Sequence, residues 1–391
     1  MGIYLNPDSD GFKKALNSQI YIDKSDLIAY TNQVFDSEQQ YVCVSRPRRF
    51  GKSMAANMLA AYYGRGGETG NLFQNLKIAE NLTFEKHLNR YNVIFLNMQE
   101  FLSKSHEVKP MKEQIEKAVI WELLGEYPEV RYFDQTDMIR VLMDIYQSTK
   151  IPFVFIIDEW DCIFRENQQD MEAQRYYLDF IRNLLKDKVY VKLAYMTGIL
   201  PVKKYGTHSA LNMFDEYSMT DPGRLAEYFG FTEKEVRELC EKYDMDFYET
   251  RRWYDGYQFN DTQHIYSPRS VVTAMLRHEF GSYWTKTESY EALKIYIEMN
   301  FDGLRDAIIE LLAGGKKKVN IGTFTNDMIT FQGSDDVLTL LVHLGYLAYN
   351  VETEEVVIPD LEVSREFANA IEGASWKTTW NIDETAVASG F

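Results

Sequence analysis

Gly51-Lys52-Ser53 closes the stretch Ser45-Arg46-Pro47-Arg48-Arg49-Phe50-Gly51-Lys52-Ser53, which lies between a short apolar run and a helical pattern. Those residue types in that order suit a polyphosphate. A helix start offers unpaired N–H groups and the positive end of its dipole to an anion. Gly51 permits close backbone approach. Lys52 reaches the β- and γ-phosphates, and the Ser53 hydroxyl is a ligand for Mg²⁺. Arg48, Arg49, Phe50 and Met54 flank the motif and complete the expected nucleotide-binding stretch; the two arginines either add charge near the phosphates or are solvated. Arg46 stands where the general pattern has glycine, so the match is partial.

A second signal is Phe153-Val154-Phe155-Ile156-Ile157-Asp158-Glu159, two acids at the end of an apolar run. An acid there costs desolvation unless something positive is near. Asp158 is read as a partner of Mg²⁺ through water, and Glu159 as the general base that polarises an attacking water. The alternative is a pair of exposed carboxylates at a strand exit. Asp161 is either an outer metal partner or a helix cap. Thr197 closes another apolar run, Val191–Thr197, where a hydroxyl suits a sensor of the γ-phosphate or a turn former. Trp253-Tyr254-Asp255-Gly256-Tyr257-Gln258-Phe259 reads as an aromatic corner around an Asp-Gly turn, or as a dock between a helical lid and a nucleotide domain.

These residues need elements to carry them. Tyr41–Ser45, Val93–Asn97, Phe153–Ile157 and Val191–Tyr195 read as buried strands. Amphipathic helices lie between them, one through Met54, Met58 and Tyr62 and another through Tyr177, Leu178, Ile181, Leu184 and Leu185. Strands alternating with helices predict an α/β fold with a parallel sheet covered on both faces. The order of phosphate loop, Asp-Glu strand and polar strand end is that of ATPases with an added central strand. After about Thr220 helices dominate. Thr232-Glu233-Lys234-Glu235 spells a capping box, and helices are expected near Ser267–Glu279, Ala292–Met299 and Leu304–Leu312. A helix through Val337, Leu340, Leu341 and Leu344 precedes two strands, Tyr346–Asn350 and Val356–Pro359, around Glu352-Thr353-Glu354. That pattern is winged-helix-like, with a patternless tail from about Ser375.

The chain has 391 residues, 45% hydrophobic and 26% charged, with a net charge of −17. This composition excludes wholesale disorder, and the acidic balance disfavours a generic polyanion binder. No apolar run is long enough for a membrane span, and the first residues lack the features of a secretory signal or a myristoylation site. Cys43, Cys162 and Cys240 read as reduced packing residues of a cytoplasmic protein.

Taken together, these motifs resemble the predicted AAA-type ATPase family (AAA-ATPase-like), which is related to the signal-transducing P-loop ATPases. Phe12-Lys13-Lys14 and Tyr21-Ile22-Asp23-Lys24-Ser25 look like its opening segment, and Arg46 through Ser53 looks like its own version of the phosphate loop. Asp158-Glu159-Trp160-Asp161, Thr197-Gly198-Ile199, the Trp253–Tyr257 segment, Tyr266 through Val271, Gly345-Tyr346-Leu347 and Ile358-Pro359 also fit. Many relatives continue into a restriction-endonuclease-like nuclease domain. The one Glu-x-Lys here, Glu107-Val108-Lys109, lies in a polar stretch, so no nuclease is expected.

The resemblance implies a three-layer P-loop NTPase core (1–220), a helical lid (221–300) and a winged-helix-like module with a loose tail (301–391). It implies ATP binding with slow Mg²⁺-dependent hydrolysis that drives a conformational switch. Lys52 binds phosphate, Ser53 and Asp158 hold the metal, Glu159 is the base and Thr197 the sensor. Arg224, Arg251 and Arg269 are equivalent candidates for an arginine finger. A protein partner or self-association is expected, with no membrane and with DNA disfavoured. The alternatives are a non-hydrolysing nucleotide-dependent interaction module and a nucleic-acid-stimulated ATPase.

Overall fold

The structure is a computed structural model that describes residues 2–202, 204–205, 208–209, 211–259, 262–284, 301–326 and 328–373. The helix expected at Ala292–Met299 and the tail from Ser375 lie outside the described residues. The chain forms two compact units, residues 1–44 with 52–216 and residues 45–51 with 217–391.

The first unit is α/β. Strands β1 (Tyr41–Ser45), β2 (Asn92–Asn97), β3 (Phe153–Asp158) and β4 (Val191–Gly198) are the expected runs, each within a few residues of its expected bounds. A ribbon of β5 (Lys204–Tyr205) and β6 (His208–Ser209) follows, then β7 (Asp215–Tyr217). The main sheet has the order β2-β3-β4-β1-β7, so β4 is the added strand between β1 and β3. β2 and β3 run parallel in register from Asn92↔Phe153 to Asn97↔Asp158, and β3 and β4 are also parallel. All six residues of β3 are buried, as a strand covered on both faces requires. Helix Lys52–Tyr63 packs on β2, β3 and β4. It is buried nearly all round from Ala55 onward, but Met54 is 44% exposed, because its first turn precedes that packed section. Helix Met171–Leu185 buries the predicted apolar stripe and is capped by the Asp170 carboxylate on Ala173 N.

Glu107-Val108-Lys109 is on no strand. It enters helix Val108–Glu126, where Pro110 sits in the first turn and removes no helical hydrogen bond.

The second unit contains an antiparallel sheet of β8 (Phe231–Thr232), β9 (Asp255–Phe259) and β10 (Thr262–Tyr266) in the order β8-β10-β9. Thr232 and Glu235 form the predicted capping box on helix Glu233–Tyr243. Asp255-Gly256 is not the expected turn. It begins β9 directly after helix Phe247–Tyr254. Gly256 has φ +154°, and a Cβ there would lie 1.9 Å from the Pro359 carbonyl oxygen. Backbone blocks the side chain, so Gly256→Ala is expected to lower stability by about 3 kcal/mol or more, the range of a severe core defect, read as a shift of the urea midpoint.

Helix Leu304–Leu312, β11 (Lys317–Lys318), helix Ser334–Leu344 and the hairpin β12 (Ala348–Asn350) with β13 (Glu355–Val357) follow. Their sheet order is β11-β13-β12. Among the described residues no helix is long and apolar enough to cross a membrane.

Candidate active site

Asp158, the last residue of β3, is 2% exposed. Two hydroxyls from distant points of the first unit meet its carboxylate. Ser53 Oγ, in the first turn of helix Lys52–Tyr63, donates to Oδ2 at 2.6 Å. Thr197 Oγ1, near the end of β4, donates to Oδ1. Glu159 N adds a third bond, to Oδ1 at 3.1 Å. A buried carboxylate with three donors has much of its hydration replaced. Thr197 is itself fully buried, and its hydroxyl is engaged by Asp158.

Lys52 is 4% exposed. Burial drives its pKa down, while Glu159, Asp158 and Asp161 oppose that fall. Burial thus works against the ammonium and the surrounding carboxylates work for it, and the negative oxygens of a polyphosphate would be a favourable partner for the charged form.

Glu159 leaves β3 with φ +55°, a left-handed conformation that non-glycine residues seldom adopt. Such strain costs about 1–3 kcal/mol and persists where the surroundings over-determine it. Trp160 N donates to Thr197 O at 3.0 Å, and Tyr177 Oη donates to Trp160 O at 2.6 Å, so the exit turn is tied down on both sides. Burial pushes the Glu159 carboxyl above its ordinary value, with Arg165 and Lys52 pulling against it.

Arg165 was not singled out from sequence. Its guanidinium donates to Glu159 Oε2 at 2.5 Å, and its Nε lies 3.3 Å from Asp161 Oδ2. Burial works against the Arg165 charge, but Asp161 and Glu159 outweigh it and hold its pKa above the usual value. The available signal was spacing: Asp161 and Arg165 are four apart just beyond the acidic pair. Asp161 precedes helix Cys162–Glu166 without capping it. Its Oδ2 instead accepts from Ile199 N at 3.0 Å and Leu200 N at 2.8 Å, tying the exit of β3 to the exit of β4.

Gly198 permits that closeness. A Cβ there would lie 2.6 Å from Trp160 Nε1 and 2.8 Å from Asp161 Oδ1. Gly198→Ala is therefore expected to cost about 1–3 kcal/mol through overpacking, measured by denaturant titration of the nucleotide-free protein.

The residues preceding Lys52 pack within the second unit. Phe50 is buried, its ring edge-on to Tyr257 at 5.4 Å, and its carbonyl accepts from Gly230 N at 3.3 Å. Arg48 and Arg49 have exposed side chains, and the Arg48 carbonyl accepts from Trp284 Nε1 at 3.1 Å. Gly51 has φ +94° and Arg49 φ +69°. Arg46, the departure from the general loop pattern, is fully buried. It donates to the Ser45 and Tyr217 carbonyls and lies 5.0 Å from the Phe259 ring and 5.6 Å from that of Phe229. Its bulk is accommodated because the side chain turns into this aromatic packing. Of the arginine-finger candidates, Arg251 is engaged by Asp255 and His264, while Arg224 and Arg269 are exposed.

Among the described residues no group of three or more His, Cys, Asp or Glu side chains is arranged to hold a metal. What the site has is a hydroxyl and a carboxylate oxygen 2.6 Å apart. These are hard donors that fit Mg²⁺, which takes one or two protein oxygens and leaves its other positions to water and phosphate.

The sequence profile described as "AAA-ATPase_like: Predicted AAA-ATPase" matches residues 11–207, half of the chain. The chain belongs to the predicted AAA-ATPase family. An uncharacterized protein in the vnfD 5′ region of Azotobacter chroococcum mcd 1 is 26% identical to this AAA-ATPase-like chain over 278 residues, 68% of the chain and 50% of that protein. The chain thus spans about half the length of the curated relative it matches. Among solved structures, the Aeropyrum pernix ORC2 protein in its ADPNP–ADP complexes is similar with TM-score 0.39 and 11% identity, covering 94% of this chain and 98% of that one. Cdc6p from Pyrobaculum aerophilum gives TM-score 0.31 and 8% identity, covering 95% and 99%. The Aeropyrum pernix ORC1 protein in complex with DNA gives 0.32 and 10%, covering 94% and 98%.

Proposed function

We propose that the protein binds ATP and hydrolyses it slowly with Mg²⁺, using nucleotide state as a conformational switch. The observation that carries this reading is the meeting of Ser53, Asp158 and Thr197 beside the buried Lys52. In this reading Lys52 binds the β- and γ-phosphates, and the Arg48–Gly51 backbone and Met54 belong to the same nucleotide-binding stretch. Ser53 and Asp158 hold the metal, which when bound supplies charge neutralisation of the phosphates. Thr197 holds Asp158 in place while sensing the γ-phosphate side, and Glu159 takes a proton from the attacking water.

The conformational switch belongs to the same proposal; residues 45–51, which lead into Lys52, are part of the second unit, where they pack with Gly230, Tyr257 and Trp284. A core at 1–220, a lid at 221–300, a winged-helix-like module at 301–391 and a cytoplasmic setting belong to the same proposal. The test is titration of a fluorescent ATP analogue with and without Mg²⁺, together with phosphate release from pure protein. Binding without release would leave the non-hydrolysing module; no binding would end the proposal.

The partner in this reading is a protein or a second copy of the chain. From Phe301 onward there are six basic and fifteen acidic residues, a net charge of −9. DNA affinity rests mainly on basic residues that neutralise phosphates. The hairpin tip exposes Glu352 and Glu354, and Lys318 on the sheet edge is paired in register with Glu355. In gel-shift titration at low salt no sub-micromolar duplex binding is expected, with or without ATP. Tight binding lost on replacing Lys316, Lys317 and Lys318 would reverse this and favour the nucleic-acid-stimulated ATPase.

A further inference from the structure

We infer that Arg165 is a positioning residue for Glu159, holding the carboxylate by one oxygen so that the other is presented to the attacking water. The inference rests on the reading of Glu159 as the base. Arg165 grips Oε2. Its own place is set through Nε by Asp161, and Asp161 is set by the Ile199 and Leu200 N–H groups. A chain of three links thus runs from the exit of β4 through Asp161 and Arg165 to the carboxylate of Glu159. The Arg165 side chain is only 9% exposed, so this is no solvated surface pair of small effect.

Two features make the arrangement specific. Glu159 stands on a left-handed exit turn, which aims its Cβ in a direction an ordinary strand continuation would not. Its side chain would still have several rotamers without a partner. Arginine also spreads its charge over separate nitrogens, so that one donates to Glu159 while another lies 3.3 Å from Asp161 in an ion pair, whereas a lysine offers one compact charge. The grip therefore depends on the guanidinium fork as well as on positive charge. A carboxylate released from it loses the alignment on which general-base transfer depends, and misplacement of about 1 Å costs up to about 10²-fold in rate.

The experiment uses the full chain and a two-by-two set of Glu159→Gln and Arg165→Lys, read by single-turnover phosphate release and by binding of a fluorescent ATP analogue. Arg165→Lys keeps a cation beside Asp161 and Glu159, so the fold survives, as a melting curve verifies; Arg165→Gln is added if it also folds. The expected result is a rate loss of about 10- to 100-fold for Arg165→Lys, with ATP affinity within about threefold of wild type, since Lys52, Ser53 and Asp158 are untouched. In the Glu159→Gln background, Arg165→Lys is expected to produce no further loss, because a residue acting through another has nothing left to position. A wild-type rate for Arg165→Lys, or losses that multiply in the double variant, would overturn the inference while Glu159→Gln alone still reports on the base. If Glu159→Gln itself releases phosphate at the wild-type rate, the base assignment falls and the inference falls with it.

Discussion

Lys52→Met is expected to weaken ATP binding by about 100-fold or more while leaving the fold intact. A charge-assisted hydrogen bond contributes about 1.5–3 kcal/mol, and Lys52 would make such contacts with more than one phosphate oxygen. At 1.4 kcal/mol per tenfold, two contacts account for that loss. Without nucleotide the same change acts in the opposite direction. Burial depresses the pKa of Lys52 despite Glu159, Asp158 and Asp161. A lysine whose folded pKa lies below its unfolded value disfavours the fold while it is protonated, a cost relieved only as pH rises through the folded pKa toward the unfolded one. At neutral pH, removing the ammonium should therefore leave the melting temperature of the nucleotide-free protein unchanged or raise it. Fluorescence titration and a thermal scan of one preparation test both halves. Unchanged affinity would sink the phosphate assignment, and a large fall in melting temperature would mean that Lys52 is structural.

Glu159→Gln is expected to retain ATP and slow phosphate release by at least about 10²-fold, the scale of a lost general base. The amide still accepts from Arg165 through its carbonyl oxygen, so the exit turn and its contacts to β4 should persist. Asp158→Asn should behave differently. It keeps one oxygen for a hydroxyl but loses the negative charge that Mg²⁺ needs, so the Mg²⁺ concentration for half-maximal activity should rise before the maximal rate falls. Phosphate release across an Mg²⁺ series separates the two. Identical profiles for both variants would mean that the division of labour between the neighbouring acids is wrong.

The α/β class, the parallel sheet and the family were legible in sequence because each rests on short-range pattern. Four apolar runs became β1 to β4, since continuous β-branched and aromatic residues suit strands covered on both faces. The capping box at Thr232 was legible for the same reason, as its partners are three residues apart. Residue types at Gly51-Lys52-Ser53 and Asp158-Glu159 pointed to phosphate and metal because few other uses require them at a strand-to-helix junction and a strand end.

What required tertiary structure was every relation between separated segments. Asp158 meets Ser53 across 105 positions and Thr197 across 39, and no periodicity encodes either distance. The Asp255-Gly256 pair begins a strand in which Asp255 pairs with Tyr266 of β10, and the Pro359 backbone, about a hundred residues onward, lies close to Gly256. Arg46 departs from the general loop pattern, and the rings its side chain lies beside, Phe229 and Phe259, come from far along the chain. Arg165 looked like an ordinary helical cation, and its role depends on Asp161 being pulled to the exit of β4 and on the left-handed turn at Glu159. Sequence determines which groups are present and which local elements carry them. Which carboxylate a cation meets is decided by strand order, because a parallel sheet brings the ends of strands far apart in sequence to one edge.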